Sequence, residues 1–347
     1  MSGLRVLCPE RDRETWVAAW MAWPEREPAA HPAYCRAMAE PGDTPVGLLF
    51  EHASGTVLYP LMLRDVPGSD AGDTDLADPY GYGGPFVLAG DATAVAPAFW
   101  EALEAWAGSE RAVSLFGRPS LFPEQVLPWP QETAQVVGTH IVVDLAPSTD
   151  ELWMAARHKV RKNVKRARRS GISVTVDLDG AHLDQFVDIY ESTLDRREAA
   201  DRYYFGRAVF ERLVQRARGT FAFFHAWDAD GALVSTELVL TSKHHLYSFL
   251  GGTRASAFAD RPNDLLKWQV IEWGKQTGRT HFVLGAGAVA DDGIYRYKLA
   301  FAPTGEVPFL LGRRTLNSEA SHRLVAERVA REPGWSARAG WFPAYRA

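Results

Sequence analysis

The order of strands, helices and glycine turns between residues 243 and 301 constrains the fold more than any other feature of this chain. Residues 243–249 have the aromatic and apolar content of a β-strand, and Gly251 and Gly252 end it. Leucine, valine and tryptophan then recur at helical spacing from residue 265 onward, which predicts an amphipathic helix. We expect Asn263 or Asp264 to cap this helix and Gly278 to end it.

A second short strand follows, over residues 281–284. Gly285 and Gly287 come directly after it, and glycine allows either a tight turn or a close backbone approach to a ligand. The chain then reads Tyr295-Arg296-Tyr297-Lys298, with Phe301 behind it. Taken alone, that segment is most simply a surface turn packed on its aromatic side chains.

Length and composition limit the classes of protein to consider. The 347 residues are too many for one ordinary hydrophobic core, so two domains are expected. The hydrophobic fraction of 46% and charged fraction of 23% indicate a globular protein, without an 18-residue apolar run for a membrane span. Cys8 and Cys35 form no disulfide framework, and no secretion signal is evident, so a cytoplasmic location is expected. The net charge of −5 leaves RNA binding to a local patch and does not suggest DNA binding.

The remaining chain alternates helices and strands, as in α/β or α+β proteins with mixed sheets. We expect a first domain over residues 1–147, completed by 312–347, and a second over 148–311. Residues 68–78 are acidic and predict a loop. Residues 220–249 predict a three-stranded antiparallel meander.

Residues 78–86 read DPYGYGGPF, a glycine and proline density that no regular element tolerates. The segment predicts a loop that presents Tyr80 and Tyr82. From the residues alone it is either a structural turn or part of a binding site.

A helix is predicted over about residues 150–170, with Ser148 or Thr149 as its cap. From residue 157 onward its charged residues are all basic. Its cations lack acidic partners at helical spacing, so they repel one another unless an anion binds. Either the run is a solvated helix face or it contacts phosphates such as those of RNA. The basic residues are Arg157, Lys159, Arg161, Lys162, Lys165, Arg166, Arg168 and Arg169.

Seven short motifs, in order, resemble the FemABX family of tRNA-dependent aminoacyltransferases. They are Pro79-Tyr80-Gly81-Tyr82-Gly83-Gly84-Pro85, the basic Arg161–Ala167 segment, Thr193-Leu194-Asp195-Arg196, Leu250-Gly251-Gly252, Pro262-Asn263-Asp264-Leu265-Leu266, Leu284-Gly285-Ala286-Gly287, and Asp292 with Tyr295-Arg296-Tyr297-Lys298-Leu299-Ala300-Phe301. Two positions depart from the family pattern: Ala286 stands where glycine is common, and Tyr297 where phenylalanine is common. The resemblance implies two tandem GNAT-like acyltransferase domains. The long coiled-coil arm of some cell-wall members has no counterpart in this sequence.

The resemblance also implies roles for individual residues. Lys298 is expected to stabilise the oxyanion of the tetrahedral intermediate, with Tyr297 orienting it or holding the tRNA 3′ end. Substrate-binding positions are expected at Tyr80, Tyr82, Arg196, Tyr204, Gly285, Gly287, Asp292 and Phe301. The basic helix would then meet tRNA phosphates.

The sequence lacks the motifs of several other enzyme classes. The sequence contains no nucleophile elbow, P-loop, His-Glu-x-x-His or Cys-x-x-Cys motif, and no metal site or cofactor is expected. The pyrophosphate loop usual in CoA-dependent GNAT enzymes is also not found; Phe282 stands where its arginine or glutamine would be.

Three hypotheses follow. The first is an aminoacyl-tRNA-dependent transferase that forms an amide bond with the amine of a small molecule or a peptidoglycan precursor. The second is an acyl-CoA-dependent N-acyltransferase on the same fold. The third is a non-enzymatic RNA- or nucleotide-binding module. The amino acid, the acceptor, the general base and the oligomeric state are not determined by the sequence.

Overall fold

The computed structural model describes residues 3–287 and 292–347 as an alternation of strands and helices. The strands are β1 (Gly3–Leu7), β2 (Asp43–His52), β3 (Gly55–Asp65), β4 (Thr74–Ala77), β5 (Phe86–Gly90), β6 (Ala112–Gly117), β7 (Ala134–Asp144), β8 (Ser173–Asp177), β9 (Phe221–Trp227), β10 (Leu233–Thr241), β11 (His245–Thr253), β12 (His281–Gly285) and β13 (Glu306–Thr315). The helices are α1 (Arg13–Ala22), α2 (Pro32–Ala37), α3 (Ala92–Ser109), α4 (Thr149–Ala155), α5 (His158–Arg169), α6 (Leu183–Arg196), α7 (Arg207–Arg216), α8 (Pro262–Gln276), α9 (Gly293–Leu299) and α10 (Ser318–Arg331). The mixed α/β fold expected from the sequence is therefore confirmed.

The chain divides into two compact units. The first comprises Met1–Val137 and Phe309–Ala347, and the second comprises Gly138–Pro308. The sequence placed the boundary near residue 147, after β7. The structure places the end of β7 in the second unit, because residues 141–144 pair with β12.

The first unit contains a mixed sheet in the order β1-β2-β3-β4-β6-β13, with β5 also paired to β3. Helix α3 covers a core that includes Leu48, Tyr59, Phe99 and Leu115. The acidic segment 68–78 was predicted to be a loop, but Thr74–Ala77 forms β4 between β3 and β6. All four residues of β4 are buried, so pairing on both edges overrides their polar composition.

The second unit contains strands in the order β7-β12-β11-β10-β9-β8. The predicted meander is confirmed, since β9, β10 and β11 pair antiparallel in sequence order. Helices α5 and α8 contribute Val160, Val164, Leu266 and Val270 to one core with Phe224 and Phe282 of the sheet.

Two local predictions for the second unit's helices differ from the structure. The helix expected over 150–170 is two helices, because Ala156 and Arg157 adopt extended backbone angles between α4 and α5. Helix α8 begins after Arg261, which has a left-handed backbone, and has Pro262 in its first position, so neither Asn263 nor Asp264 is its cap. Other local predictions are confirmed: Ser148 caps α4 in a reciprocal capping box with Glu151, and Gly278 follows α8 with a φ of +73°.

Candidate active site of the second unit

Two parallel strands of the second unit separate and leave an opening in the sheet. β11 and β12 pair over only three residues each, ending at Tyr247 and Val283. β11 then continues to Thr253 on β10, whereas β12 turns toward β7 with an irregular register before Gly285. We call the space between Ser248–Thr253 and Leu284–Gly285 the strand gap. Ligands of open α/β sheets commonly bind outside the carboxyl ends of parallel strands, and the strand gap has that position.

Lys298 lies beside the β12 end of the strand gap. Helix α9 begins at Asp292, whose side chain accepts a hydrogen bond from the backbone N–H of Tyr295 at 2.6 Å. From the last turn of this helix, Lys298 Nζ donates a hydrogen bond to the carbonyl oxygen of Ala286 at 2.6 Å. Burial, and then the neighbouring Lys267, lower the pKa of Lys298 to about 8, against the opposing effects of Glu237 and Asp292. Lys298 is therefore a partly desolvated cation close to its titration point at neutral pH.

Tyr297 and Phe301 form an aromatic pair around the end of α9. Their rings pack against each other, with centroids 5.3 Å apart in an edge-to-face arrangement. The hydroxyl of Tyr297 accepts a hydrogen bond from Asn263 Nδ2 at 2.9 Å, and burial raises the pKa of Tyr297 well above its ordinary value. Tyr297 is consequently a neutral side chain that ties α9 to the start of α8.

Gly285 and Gly287 flank Ala286 at the end of β12. Gly285 has a φ of +77°, a backbone conformation that other residues rarely adopt. A Cβ atom on Gly287 would lie 2.1 Å from a carboxylate oxygen of Asp292. Gly287 therefore lies against the cap of α9, and the residue before it, Ala286, contacts Lys298.

A buried ion pair lies next to the strand gap, and the sequence patterns did not predict it. Lys267 of α8 is 6% exposed and donates to Glu237 of β10, which is 3% exposed. Lys267 Nζ also donates to Ser248 Oγ at 2.6 Å. An acidic residue between valines and leucines in a strand, and a lysine on the apolar face of a helix, were the available signals.

His140 of β7 is a further neighbour that the sequence analysis did not name. Burial and the nearby Lys298 lower the pKa of His140 to about 4, so the imidazole is neutral at physiological pH. A neutral imidazole can accept a proton or a hydrogen bond, which a second ammonium group could not.

Arg196 and Tyr204 lie at the end of α6 and just after it. The Arg196 guanidinium lies over the Phe258 ring, 4.9 Å from its centroid, and Tyr204 donates from its hydroxyl to Asp195 at 2.7 Å. Helix α6 packs on the end of β11, where a Cβ atom on Gly252 would lie 2.6 Å from the carbonyl oxygen of Ile189. The second glycine of the Leu-Gly-Gly run therefore lets α6 approach the β11 side of the strand gap.

The eight basic residues around α5 fall into groups. Arg161 caps the end of α4, donating to the carbonyl oxygens of Trp153, Met154 and Ala156. Arg168 pairs with Glu272 at 3.4 Å. Five exposed cations lie along one stripe of the helix, opposite the buried Val160, Val164 and Ala167: Lys159, Lys162, Lys165, Arg166 and Arg169. Arg157, the eighth, is the exposed residue before the first turn.

Tyr80 and Tyr82 belong to the first unit, in a loop that is held firmly there. The Tyr80 carbonyl oxygen accepts from the Tyr34 hydroxyl at 2.6 Å, and the Tyr80 ring lies 5.7 Å from the Arg118 guanidinium. The Tyr82 ring packs edge-on against Phe309, with centroids 6.1 Å apart. Asp78, before the loop, is buried, and burial raises its pKa to about 7.

The second unit therefore assembles one candidate site from residues that are distant in sequence. Lys298, Asp292, Gly285 and Gly287 meet at the β12 end of the strand gap, with Glu237 and Lys267 beneath. The roles given to these residues, to Arg196 and Tyr204, to the basic stripe and to the tyrosine loop stay predictions. Among residues 3–287 and 292–347, no group of three or more His, Cys, Asp or Glu side chains could hold a metal ion. Within the same residues, no helix is both long and apolar enough to cross a membrane.

The sequence of the second unit matches a known domain family over most of its length. Residues 154–299 match the family described as an acetyltransferase (GNAT) domain. No curated protein matches the chain.

Solved structures extend this similarity to nearly the whole chain. The alignment with the crystal structure of FemX covers 92% of this chain and 99% of the FemX chain, with a TM-score of 0.70 at 12% identity. L-PGS from Bacillus licheniformis covers 93% and 98%, with a TM-score of 0.58 at 14% identity. A tandem GNAT protein from the clavulanic acid biosynthesis pathway covers 91% and 99%, with a TM-score of 0.51 at 12% identity. The expected resemblance to FemX is thus confirmed as one of fold, and the chain has a tandem GNAT-like acyltransferase fold.

Proposed function

We propose that this protein transfers an aminoacyl group from an aminoacyl-tRNA to the amine of a small-molecule or peptidoglycan-precursor acceptor. In this reaction the amine nitrogen attacks the ester carbonyl, the C–N bond forms, and the C–O bond to the terminal ribose breaks. The proton lost by the amine is finally taken up by the ribose oxygen. The ester is already activated, so alignment of the two groups and stabilisation of the oxyanion supply the catalysis.

The observation that carries this proposal is the position of Lys298. Its ammonium group lies at the β12 end of the strand gap, in partly dry surroundings that strengthen its attraction for a developing oxyanion. The contact with the Ala286 carbonyl oxygen fixes the side chain before substrate arrives. Because an ammonium group donates several hydrogen bonds, Lys298 can retain this contact while it donates to the oxyanion.

The start of α8 supports a donor other than CoA. A pyrophosphate group commonly binds the free N–H groups at a helix N-terminus. Here the first position is Pro262, which has no N–H, and the first turn contains the buried carboxyl group of Asp264. The carboxyl group accepts a hydrogen bond from Asn163 at 3.1 Å. The start of α8 therefore offers a pyrophosphate fewer N–H groups than an ordinary helix N-terminus, whereas the exposed stripe of α5 offers five cations to an RNA backbone.

A second candidate function is acyl transfer from acyl-CoA to an amine. The observation that favours it is the match of residues 154–299 to an acetyltransferase (GNAT) domain. In this case Lys298 would stabilise the oxyanion formed from a thioester, and the strand gap would receive the acyl chain.

A donor competition on the purified protein tests the proposal. A pool of tRNAs charged with labelled amino acids competes with labelled acetyl-CoA in the presence of an amine-rich cell extract. We expect label to move from tRNA to a small product, and RNase treatment to abolish the transfer. Transfer from acetyl-CoA alone, insensitive to RNase, would overturn the proposal and favour the second candidate.

The matched variants Lys298→Ala and Arg296→Ala separate catalysis from general loss of charge on α9. Both remove one cation from the same helix, but Arg296 is exposed, whereas Lys298 is half-buried against Ala286. We expect Lys298→Ala to lower kcat by about 10²- to 10³-fold, as for loss of an oxyanion donor. Arg296→Ala should change kcat by less than about threefold. Equal effects of the two variants would argue against a role of Lys298 at the reacting atoms.

A further inference from the structure

Burial of the charged pair Glu237 and Lys267 costs free energy of folding, which suggests that the pair has a functional role. Two oppositely charged side chains in a protein interior seldom stabilise the fold more than well-packed apolar residues would. In this case the cost is higher, because Glu237 Oε2 is buried and has no hydrogen-bond partner within the described residues. The pair lies at the candidate site, with Lys267 Nζ 5.7 Å from the centroid of the Phe282 ring on β12.

The pair contacts the β11 side of the strand gap, and Lys298 lies on the β12 side. On the β11 side, Lys267 donates to Ser248, the first residue of β11 after its pairing with β12 ends. An ammonium group only donates, so the Ser248 oxygen accepts and its own O–H can donate to another group. On the β12 side, the Lys298 ammonium contacts Ala286, the residue after the last residue of β12. Each arm of the gap therefore carries one hydrogen-bond donor.

The titratable groups near Lys298 come from four elements. Lys267 of α8 lowers its pKa, and Glu237 of β10 and Asp292 at the start of α9 raise it. His140 of β7 is neutral at physiological pH, as described above. Glu237 and Lys267 therefore act on Lys298 in opposite directions while they are bound to each other.

We propose that the Glu237–Lys267 pair is a positioning device for the acyl-transfer site, which orients the Ser248 hydroxyl as a donor on the β11 arm of the strand gap, opposite Lys298 on the β12 arm. The inference rests on the proposed function for the identity of the donor, but the positioning applies equally to an ester or a thioester carbonyl. Glu237 acts through Lys267 and Lys298 and does not touch the substrate. Ser248 is the member of this group placed to meet the substrate, because it is half-buried and borders the gap.

The titration of Lys298 in the full-length protein, without any substrate, tests this inference. Acetic anhydride labels neutral amines, so the labelling rate of Lys298, followed by mass spectrometry across pH 6–11, gives its midpoint. We expect a midpoint near 8 in the native protein. Glu237→Gln should lower it by roughly one pH unit, and Lys267→Met should raise it by a similar amount. Glu272→Gln serves as the control. It is also a glutamate-to-glutamine change, but Glu272 lies on α8 and pairs with Arg168, so the Lys298 midpoint should not shift.

Each single variant leaves one unpaired charge in the interior, which can prevent folding. Two further variants test the inference in that case. The double variant Glu237→Gln/Lys267→Met leaves no unpaired charge, and its Lys298 midpoint should return to within about half a pH unit of the native value. Ser248→Ala should lower kcat at least about tenfold while the Lys298 midpoint stays unchanged.

The inference is overturned if folded Glu237→Gln and Lys267→Met proteins both keep the native midpoint, or if Ser248→Ala has native kcat with the true donor. The labelling is measured without donor or acceptor. Opposite shifts together with transfer from acetyl-CoA alone would therefore reject the proposed function and retain the positioning device.

Discussion

Tyr297 and Lys298 are adjacent in sequence but have different partners. Lys298 points to the strand gap, whereas the Tyr297 hydroxyl is bound by Asn263 at the start of α8. Because burial raises the pKa of Tyr297, its hydroxyl stays protonated at neutral pH and cannot act as a general base. At the scale of single residues, Lys298 is suited to charge stabilisation and Tyr297 to holding α9 in place.

We therefore expect Tyr297→Phe to affect stability more than chemistry. Loss of the hydroxyl leaves the Asn263 amide without its acceptor, which should lower the free energy of unfolding by about 1–3 kcal/mol. The value of kcat should fall less than about tenfold, far less than for Lys298→Ala. Denaturant unfolding and steady-state kinetics measure the two effects. A Tyr297→Phe protein of native stability with a rate as low as that of Lys298→Ala would instead place the hydroxyl on the reacting atoms.

At the scale of single elements, α5 shows how packing divides a run of like charges. The buried Val160, Val164 and Ala167 fix which face of the helix is turned inward. Arg161 then reaches the end of α4 and Arg168 reaches Glu272, so these two arginines have intramolecular roles. The remaining stripe of exposed cations is the part of the helix suited to an anionic partner.

This division predicts different salt dependences for variants of the same helix. The triple variant Lys162→Ala/Lys165→Ala/Arg166→Ala should weaken tRNA binding and reduce the slope of log K against log salt by about 2–3. The double variant Arg161→Ala/Arg168→Ala should leave the slope nearly unchanged but lower the free energy of unfolding by about 1–3 kcal/mol. Filter binding at several salt concentrations gives the slopes. Equal slopes for the triple variant and the native protein would exclude this stripe as the RNA contact.

At the scale of the whole molecule, the first unit is built from two distant parts of the chain. β13 pairs antiparallel with β6, and α10 contributes Ala320 and Leu324 to a small core with Val113 and Tyr345. The Tyr345 hydroxyl is 2.8 Å from Ser114 Oγ. Residues near the end of the chain therefore complete a unit that begins with β1.

Tyr345→Ala should consequently destabilise the first unit selectively. Loss of a buried aromatic side chain typically costs about 3–5 kcal/mol. Hydrogen exchange should show faster exchange in β4, β6 and α10, with native exchange in residues 138–308. Equal loss of protection in both units would mean that they unfold as one cooperative body.

Much of the fold was predictable from local patterns. The strand, helix and strand within residues 243–285, the capping box at Ser148 and the glycine after α8 follow from periodicity and backbone chemistry that act over a few residues. The surface turn expected at Tyr295–Lys298 was wrong, because these residues belong to helix α9. Strand β4 was not predictable in this way, because its polar residues are buried only through pairing with β3 and β6. The break between α4 and α5 also depends on tertiary contacts, since Arg157 N–H donates to the Ala300 carbonyl oxygen.

The sequence by itself determined the class of fold, the glycines at the turns and Lys298 as the candidate catalytic cation, because each is encoded by a short motif. The tertiary structure alone decided which charges surround that cation. Glu237, Lys267 and Lys298 lie on β10, α8 and α9, so no local pattern relates them. Electrostatic effects in an interior depend on distance and burial, which the packing of the strands and helices sets.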